Sequence, residues 1–167
     1  PLIGRYYGEL LTEDRPLPPD ARILDVGCGY GRIALDLTSR LSDDQHYLGI
    51  DPNADAVAWA TSHIASERPN FSFERIHVVS QPYNPLGTIR GAEFRFPCED
   101  NSLDLVFMIS VMTHIDLDNV ETYIRESART LKPTGRFVAT FFLLDAEVDA
   151  LLEEGQSPFT MEFAHGE

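Results

Sequence analysis

The amino-acid sequence predicts an α/β fold: a doubly wound, mostly parallel sheet with helices on both faces. Three observations predict it. Short, almost continuously apolar runs recur along the chain, the pattern of strands buried on both faces. Between them lie segments with apolar residues at helical spacing, and such alternation demands right-handed parallel crossovers. Glycine stands at alternate positions in Gly27-Cys28-Gly29-Tyr30-Gly31, where the first apolar run meets the first of the intervening helices.

Taken in order, residues 2–11 carry Leu2, Tyr6, Leu10 and Ile3, Tyr7, Leu11 at helical spacing, and the proline-rich stretch 15–20 ends that helix. Residues 22–26 form a short buried strand, terminated by Gly27. A helix from Gly31 places Ile33, Ala34, Leu37 and Leu41 on one face, until Ser42-Asp43-Asp44 breaks it. Residues 46–50 are a second strand, ending at Asp51. Pro52-Asn53 starts the next helix, with Val57, Ala60 and Ile64 inward and Arg68-Pro69 at its end. Residues 71–79 are a third strand, and 81–91, with two prolines and two glycines, a loop. Residues 103–109 are a fourth strand. Residues 116–131 are a helix with Val120, Tyr123, Ile124, Ala128 and Leu131 on one stripe. A turn at 132–135 leads to a fifth strand at 136–144 and a further helix at 146–154.

The 167 residues suit one domain: an N-terminal helix and proline-rich linker (1–20), a core (21–145), and a C-terminal helix and tail (146–167). Hydrophobic residues at 43% and charged residues at 24% are ordinary for a globular chain. No apolar run is long enough for a membrane span, and no charged-then-apolar start reads as a secretion signal. The chain begins with Pro1 rather than Met, as a piece of a longer protein does. A formal net charge of −14 repels phosphate backbones, so no duplex nucleic acid is expected as a partner. Two cysteines, Cys28 and Cys98, lack any metal-ligand spacing, so no metal site is expected. They read as free thiols of a reducing cytoplasm, which makes the expected localisation cytoplasmic.

Three glycines at alternate positions remove side chains from a tight turn and let a ligand approach the backbone. The loop departs from the dinucleotide pattern GxGxxG, whose third glycine would fall at position 32. Arg32 stands there and obstructs the close packing and pyrophosphate seat of that pattern. A ligand with an amino-acid moiety and no pyrophosphate needs less room.

The run Ile23-Leu24-Asp25-Val26-Gly27-Cys28-Gly29-Tyr30-Gly31-Arg32 resembles the first motif of the class I S-adenosylmethionine (SAM)-dependent methyltransferases. Gly49-Ile50-Asp51-Pro52, Phe96-Pro97 with Asn101-Ser102-Leu103-Asp104-Leu105-Val106, and Leu131-Lys132-Pro133-Thr134-Gly135-Arg136 resemble the family's later motifs, in its order and spacing. The resemblance runs from about residue 22 to residue 144 and implies a Rossmann-like fold. More narrowly, Tyr83-Asn84-Pro85-Leu86-Gly87 with Ser110-Val111-Met112-Thr113-His114 is similar to a bacterial subgroup found with glycan-modifying enzymes. Family domains usually continue for two more strands after the position of the 146–154 helix. Residues 155–167 show little apolar alternation, so the last strands are expected to be absent or completed by a partner.

The resemblance implies residue roles. The backbone of Gly27, Cys28 and Gly29 would hold the methionine moiety, with Asp25 orienting the loop or reaching the cofactor's amino group. Read locally, Asp25 could equally bond neighbouring NH groups to stabilise the turn. Asp51, twenty residues after Gly31, would accept bonds from the ribose diol, or else cap the helix starting near Pro52. Pro52 would pack toward the adenine. No Asp stands where the family places an acid near the adenine amino group. His77 and Glu93 are the nearest candidates, and the backbone around Ala92 and Glu93 is an alternative. Ile109 and Ser110 would border the sulfur. His114, poised to take a proton near neutral pH, is the candidate general base, with Thr113 beside it; a helix-start polar residue is its plainer reading.

The activity so implied is methyl transfer from SAM, with S-adenosylhomocysteine (SAH) as product, to a small-molecule or glycan acceptor at a hydroxyl. A homodimer is admitted. Two rival readings are a nicotinamide-dependent Rossmann-type oxidoreductase and a non-catalytic SAM-binding module.

Overall fold

The computed structural model describes residues 2–81, 83–113, 115 and 117–141, and of Asp118 the backbone alone. Strands β1 (Arg22–Val26), β2 (His46–Asp51), β3 (Phe71–Arg75), β4 (Leu103–Met108) and β5 (Leu131–Ala139) form one parallel sheet in the order β3-β2-β1-β4-β5. The apolar runs that predicted buried strands are buried: every residue of β4 is, and all of β1 after Arg22. Helices α1 (Leu2–Thr12), α2 (Arg32–Leu37) and α3 (Ala54–Ala60) belong to one side, α4 (Leu117–Thr130) to the other. One apolar cluster joins Leu11, Ile33, Leu37, Ala60 and Ile64 to Ile23, Tyr47, Leu105 and Phe107 of the sheet. The second joins Tyr123, Phe94 and Phe96 to Leu24, Val26, Ile50, Val106 and Met108. In β1, in β2 and in β4 from Leu105 to Met108, the apolar residues divide between the two clusters by alternate position, as a pleat requires.

Several boundaries move. The third strand stops at Arg75 rather than at 79, because β2 has no residue to pair beyond Asp51, whose carbonyl takes the Ile76 NH at 3.0 Å. Val78 instead bridges Ile89, and Ser80 bridges Asn84, so the 81–91 loop is tied down through the buried Asn84 side chain, which donates to Val78 O at 3.0 Å. The glycine-loop helix keeps α-geometry only to Leu37; Leu41 remains buried through a turn whose NH bonds Leu37 O at 2.9 Å. The helix expected from Pro52 begins at Ala54, and its last turn widens to a π-helical one at Thr61–Ala65.

A 3₁₀ turn at Gly91–Glu93 had no clear signal. The expected 132–135 turn is present as an outward loop inside β5. Leu103 pairs Leu131 while Leu105 pairs Arg136. The strand ends at Ala139 rather than 144. The 146–154 helix lies outside the described residues. Cys28 and Cys98 are free thiols, and among the described residues no helix is long and apolar enough to cross a membrane.

Candidate functional site

Parallel strands send their carboxyl ends to one edge, and the strand order reverses between β1 and β4. A crevice opens at such a point because successive crossovers leave in opposite directions. The loops after the two strands meet there: a Cβ on Gly27 would collide with the Val111 side chain.

The three loop glycines all have positive φ, at 78° for Gly27, 51° for Gly29 and 71° for Gly31, yet they differ in purpose. A Cβ at Gly31 would lie 2.5 Å from Ile64 Cδ1 and 3.6 Å from Phe73, so this glycine lets the loop close onto the core. A Cβ at Gly29 would meet nothing within 4 Å. Gly29 therefore presents bare backbone to open space, in a conformation that side chains rarely adopt. The NH groups of Gly27, Cys28 and Gly29 are already engaged. Gly27 N and Cys28 N donate to Ile50 O at 2.8 and 3.2 Å, and Gly29 N donates to Asp51 Oδ2 at 2.8 Å. What the loop offers a ligand is the uncovered face of Gly29, not these three donors.

Asp51 is 8% exposed and accepts a bond on each oxygen: Gly29 N on Oδ2, and Asn53 N on Oδ1 at 2.8 Å. It does not cap α3. That place belongs to Asn53, whose side chain accepts from Asp55 N and Ala56 N, as short polar side chains do at helix starts. Each Asp51 oxygen retains a lone pair for a further donor. Burial raises its pKa, while the two backbone donors pull the other way.

Asp25, on the same face of the sheet, is more deeply enclosed at 2% exposed, and Tyr47 OH donates to its Oδ2 at 2.6 Å. Burial pushes this carboxyl up to about 7; the Tyr47 bond and the Arg32 charge oppose the rise, and Asp51 adds to it. The Cys28 thiol is pushed up by burial and by both carboxylates, so it stays protonated and is no nucleophile. Tyr47 was read only as part of a strand. The available signal was a tyrosine in an otherwise aliphatic buried run, where its hydroxyl needs a partner.

Across the crevice Ile109 is buried, and Ser110 is exposed at the left-handed φ of 61°, its NH donating to Thr140 Oγ1 at 2.8 Å. A non-glycine residue held there stores strain that the surrounding structure must maintain. Ser110 borders an open groove of about 370 Å³ that is otherwise lined by Leu2, Ile3, Tyr6 and Tyr7 of α1 and by Arg32. Thr113 is half-buried; His114 lies outside the described residues. Pro52 is half-buried beside Asp51. Glu93 is exposed and ion-paired with Arg90, which holds its carboxyl below the usual range. His77 is exposed, and its carbonyl accepts from Thr88 N and Ile89 N at 2.8 and 3.0 Å. Among the described residues no cluster of potential metal ligands occurs.

The family model described as "Methyltransferase domain" matches residues 24–139, more than half of the chain. A Haemophilus influenzae protein described as uncharacterized is 29% identical over 132 residues, covering 79% of this chain and 47% of that protein. An arsenite methyltransferase of Aquipseudomonas alcaligenes is 29% identical over 133 residues, covering 79% of this chain and 35% of that protein. A TehB-like SAM-dependent methyltransferase from Corynebacterium glutamicum shares the fold at a TM-score of 0.59 and 21% identity, covering 90% of this chain and 71% of that one. The chain spans less than half the length of the first curated relatives it matches. It belongs to the methyltransferase-domain family.

Proposed function

We propose that the crevice binds SAM and that the whole protein transfers the methyl group to a small-molecule or glycan acceptor, at a hydroxyl. The observation that supports this best is the side-chain-free Gly29, hydrogen-bonded to the Asp51 carboxylate. The residues present fit an adenosyl sulfonium. Gly29 admits close approach, the spare Asp51 lone pairs suit a ribose diol, and Asp25 suits an α-ammonium. When bound, SAM supplies a methyl group already activated by positive sulfur, so no metal or covalent intermediate is called for.

The chain's own work is to align an acceptor, exclude water and accept a proton. Ile109 and Ser110 border the reacting side, and the groove toward α1 receives the acceptor. Its apolar and aromatic lining with one cationic side chain favours a small amphipathic molecule, while the tyrosines and the narrower resemblance keep glycans in the panel. His114 is the sequence-level candidate for the base. Pro52 and the turn carrying Ala92 and Glu93 serve the adenine side. A reducing cytoplasm is the setting proposed.

A thermal-shift comparison of SAM, SAH and NAD tests the cofactor. SAM and SAH should each stabilise the protein, by about 2.7 kcal/mol at a hundredfold excess over Kd, and NAD should not. Stabilisation by NAD alone would reverse the assignment.

A further inference from the structure

We infer that Tyr47 is a positioning residue of the cofactor site: its buried hydroxyl holds the Asp25 carboxylate ready for the α-ammonium of the methionine moiety. The inference rests on the SAM reading above. Asp25 pairs Gly49 across β1 and β2, so Tyr47, two residues before Gly49, stands on the same face of the sheet. The Tyr47 ring stacks on Phe71 at 4.9 Å and leans on Phe73 at 5.6 Å, which leaves the hydroxyl little freedom to turn away. Its 2.6 Å bond to Asp25 Oδ2 has the length of a charge-assisted O–H···O⁻ contact. Packing alone would be served by phenylalanine here. The hydroxyl is explained by the carboxylate, and the carboxylate has no other hydrogen-bond donor among the described residues.

The groups that bear on Asp25 are few. From β2 come Tyr47 and Asp51, from the glycine loop the neutral Cys28 thiol, and from α2 the Arg32 guanidinium. Leu11 of α1 and Phe107 of β4 enter the same cluster with apolar side chains. Burial and Asp51 favour the protonated acid, so without Tyr47 the carboxyl would tend to be neutral when a cationic ammonium arrives. Tyr47 opposes that tendency and fixes one oxygen, leaving the second for the ligand.

The test is SAM affinity by calorimetry from pH 5.5 to 9 for the wild type, Tyr47→Phe and Asp25→Asn. A carboxyl-carbon NMR titration of Asp25 in the cofactor-free wild type and Tyr47→Phe runs beside it. Wild-type affinity should rise with pH as Asp25 ionises and fall again as the ligand's ammonium loses its proton near pH 8. In Tyr47→Phe the Asp25 midpoint should move up by about one pH unit or more in the NMR titration, and the rising limb of the binding profile should move with it toward the ligand's own titration, leaving a lower maximum at higher pH. Asp25→Asn should show only the titration of the ligand's own amine, near pH 8. A Tyr47→Phe profile that coincides with the wild type, or is lowered equally at every pH, overturns the proposal and leaves SAM binding standing. No binding of SAM by the wild type at any pH overturns the cofactor reading and this proposal together.

Discussion

The two sides of the crevice are built differently. On the β1–β2 side, backbone and carboxylates do the work, both carboxylates are buried, and the parts are cross-tied: Gly29 to Asp51, Gly27 and Cys28 to Ile50, Asp25 to Tyr47. On the β4 side, Ser110 and the α1 residues Leu2, Ile3 and Tyr6 stand exposed around an open groove. An invariant ligand can be met by a preformed frame. A ligand that differs between enzymes is met by side chains on a changeable rim.

The largest expected effect lies inside the glycine loop. Gly29→Val should reduce SAM affinity more than about 100-fold while the protein still folds, at a strain cost of about 1–3 kcal/mol. Calorimetry with circular dichroism checks both, and retained affinity would refute the close-approach argument. Gly31→Val should do the reverse, costing about 2–4 kcal/mol of stability through collision with Ile64, as read by urea unfolding. If the two variants behave alike, the division of labour among the glycines is wrong.

Asp51→Ala comes next. Losing acceptors for a ligand diol and for Gly29 N should weaken SAM binding by about 1–3 kcal/mol; an unchanged Kd removes the ribose role. Tyr6→Ala probes the opposite rim. With an identified acceptor, its KM should rise about three- to tenfold, roughly the loss of a partly buried aromatic contact, at unchanged SAM Kd. A change in SAM Kd instead would place the groove on the cofactor side.

A separate effect is on stability against pH. Asp25 titrates near 7 in the folded chain and near 4 when unfolded, so between those values the folded state holds a proton that the unfolded state has lost. The contribution of this group therefore falls as pH rises from about 4 to about 7 and is level above. Asp25→Asn removes it, so the variant's stability relative to wild type should increase from pH 5 to pH 8. A constant difference in urea unfolding would show that Asp25 titrates normally.

Much of this frame was legible beforehand. β1, the glycine loop and β2 occupy short, uninterrupted spans in which apolar runs, glycines and a terminal acid follow one another, so Gly27 and Asp51 could be set at the carboxyl edge of the sheet from the pattern, while Asp25 and Gly29 were named through the family resemblance. The end of β3 was not legible, because Ile76 and Val78 are as apolar as strand residues and only the length of β2 stops the pairing. The roles of Asp51 and Asn53 at α3 were ambiguous, since both residue types cap helices; the fold assigned the cap to Asn53. Glu93 looked available until its neighbour Arg90 proved to engage it.

By itself the sequence determined the alternation of buried strands and helices, the glycine bend and the acid one strand over, because those depend on residues adjacent in the chain. Only the tertiary structure decided that Gly29 faces open space while Gly31 faces Ile64, that Tyr47 reaches Asp25, and that α1 lines a groove with Ser110. The reason is physical: each joins residues from separate elements, and the sheet order that juxtaposes them is settled by packing the whole core.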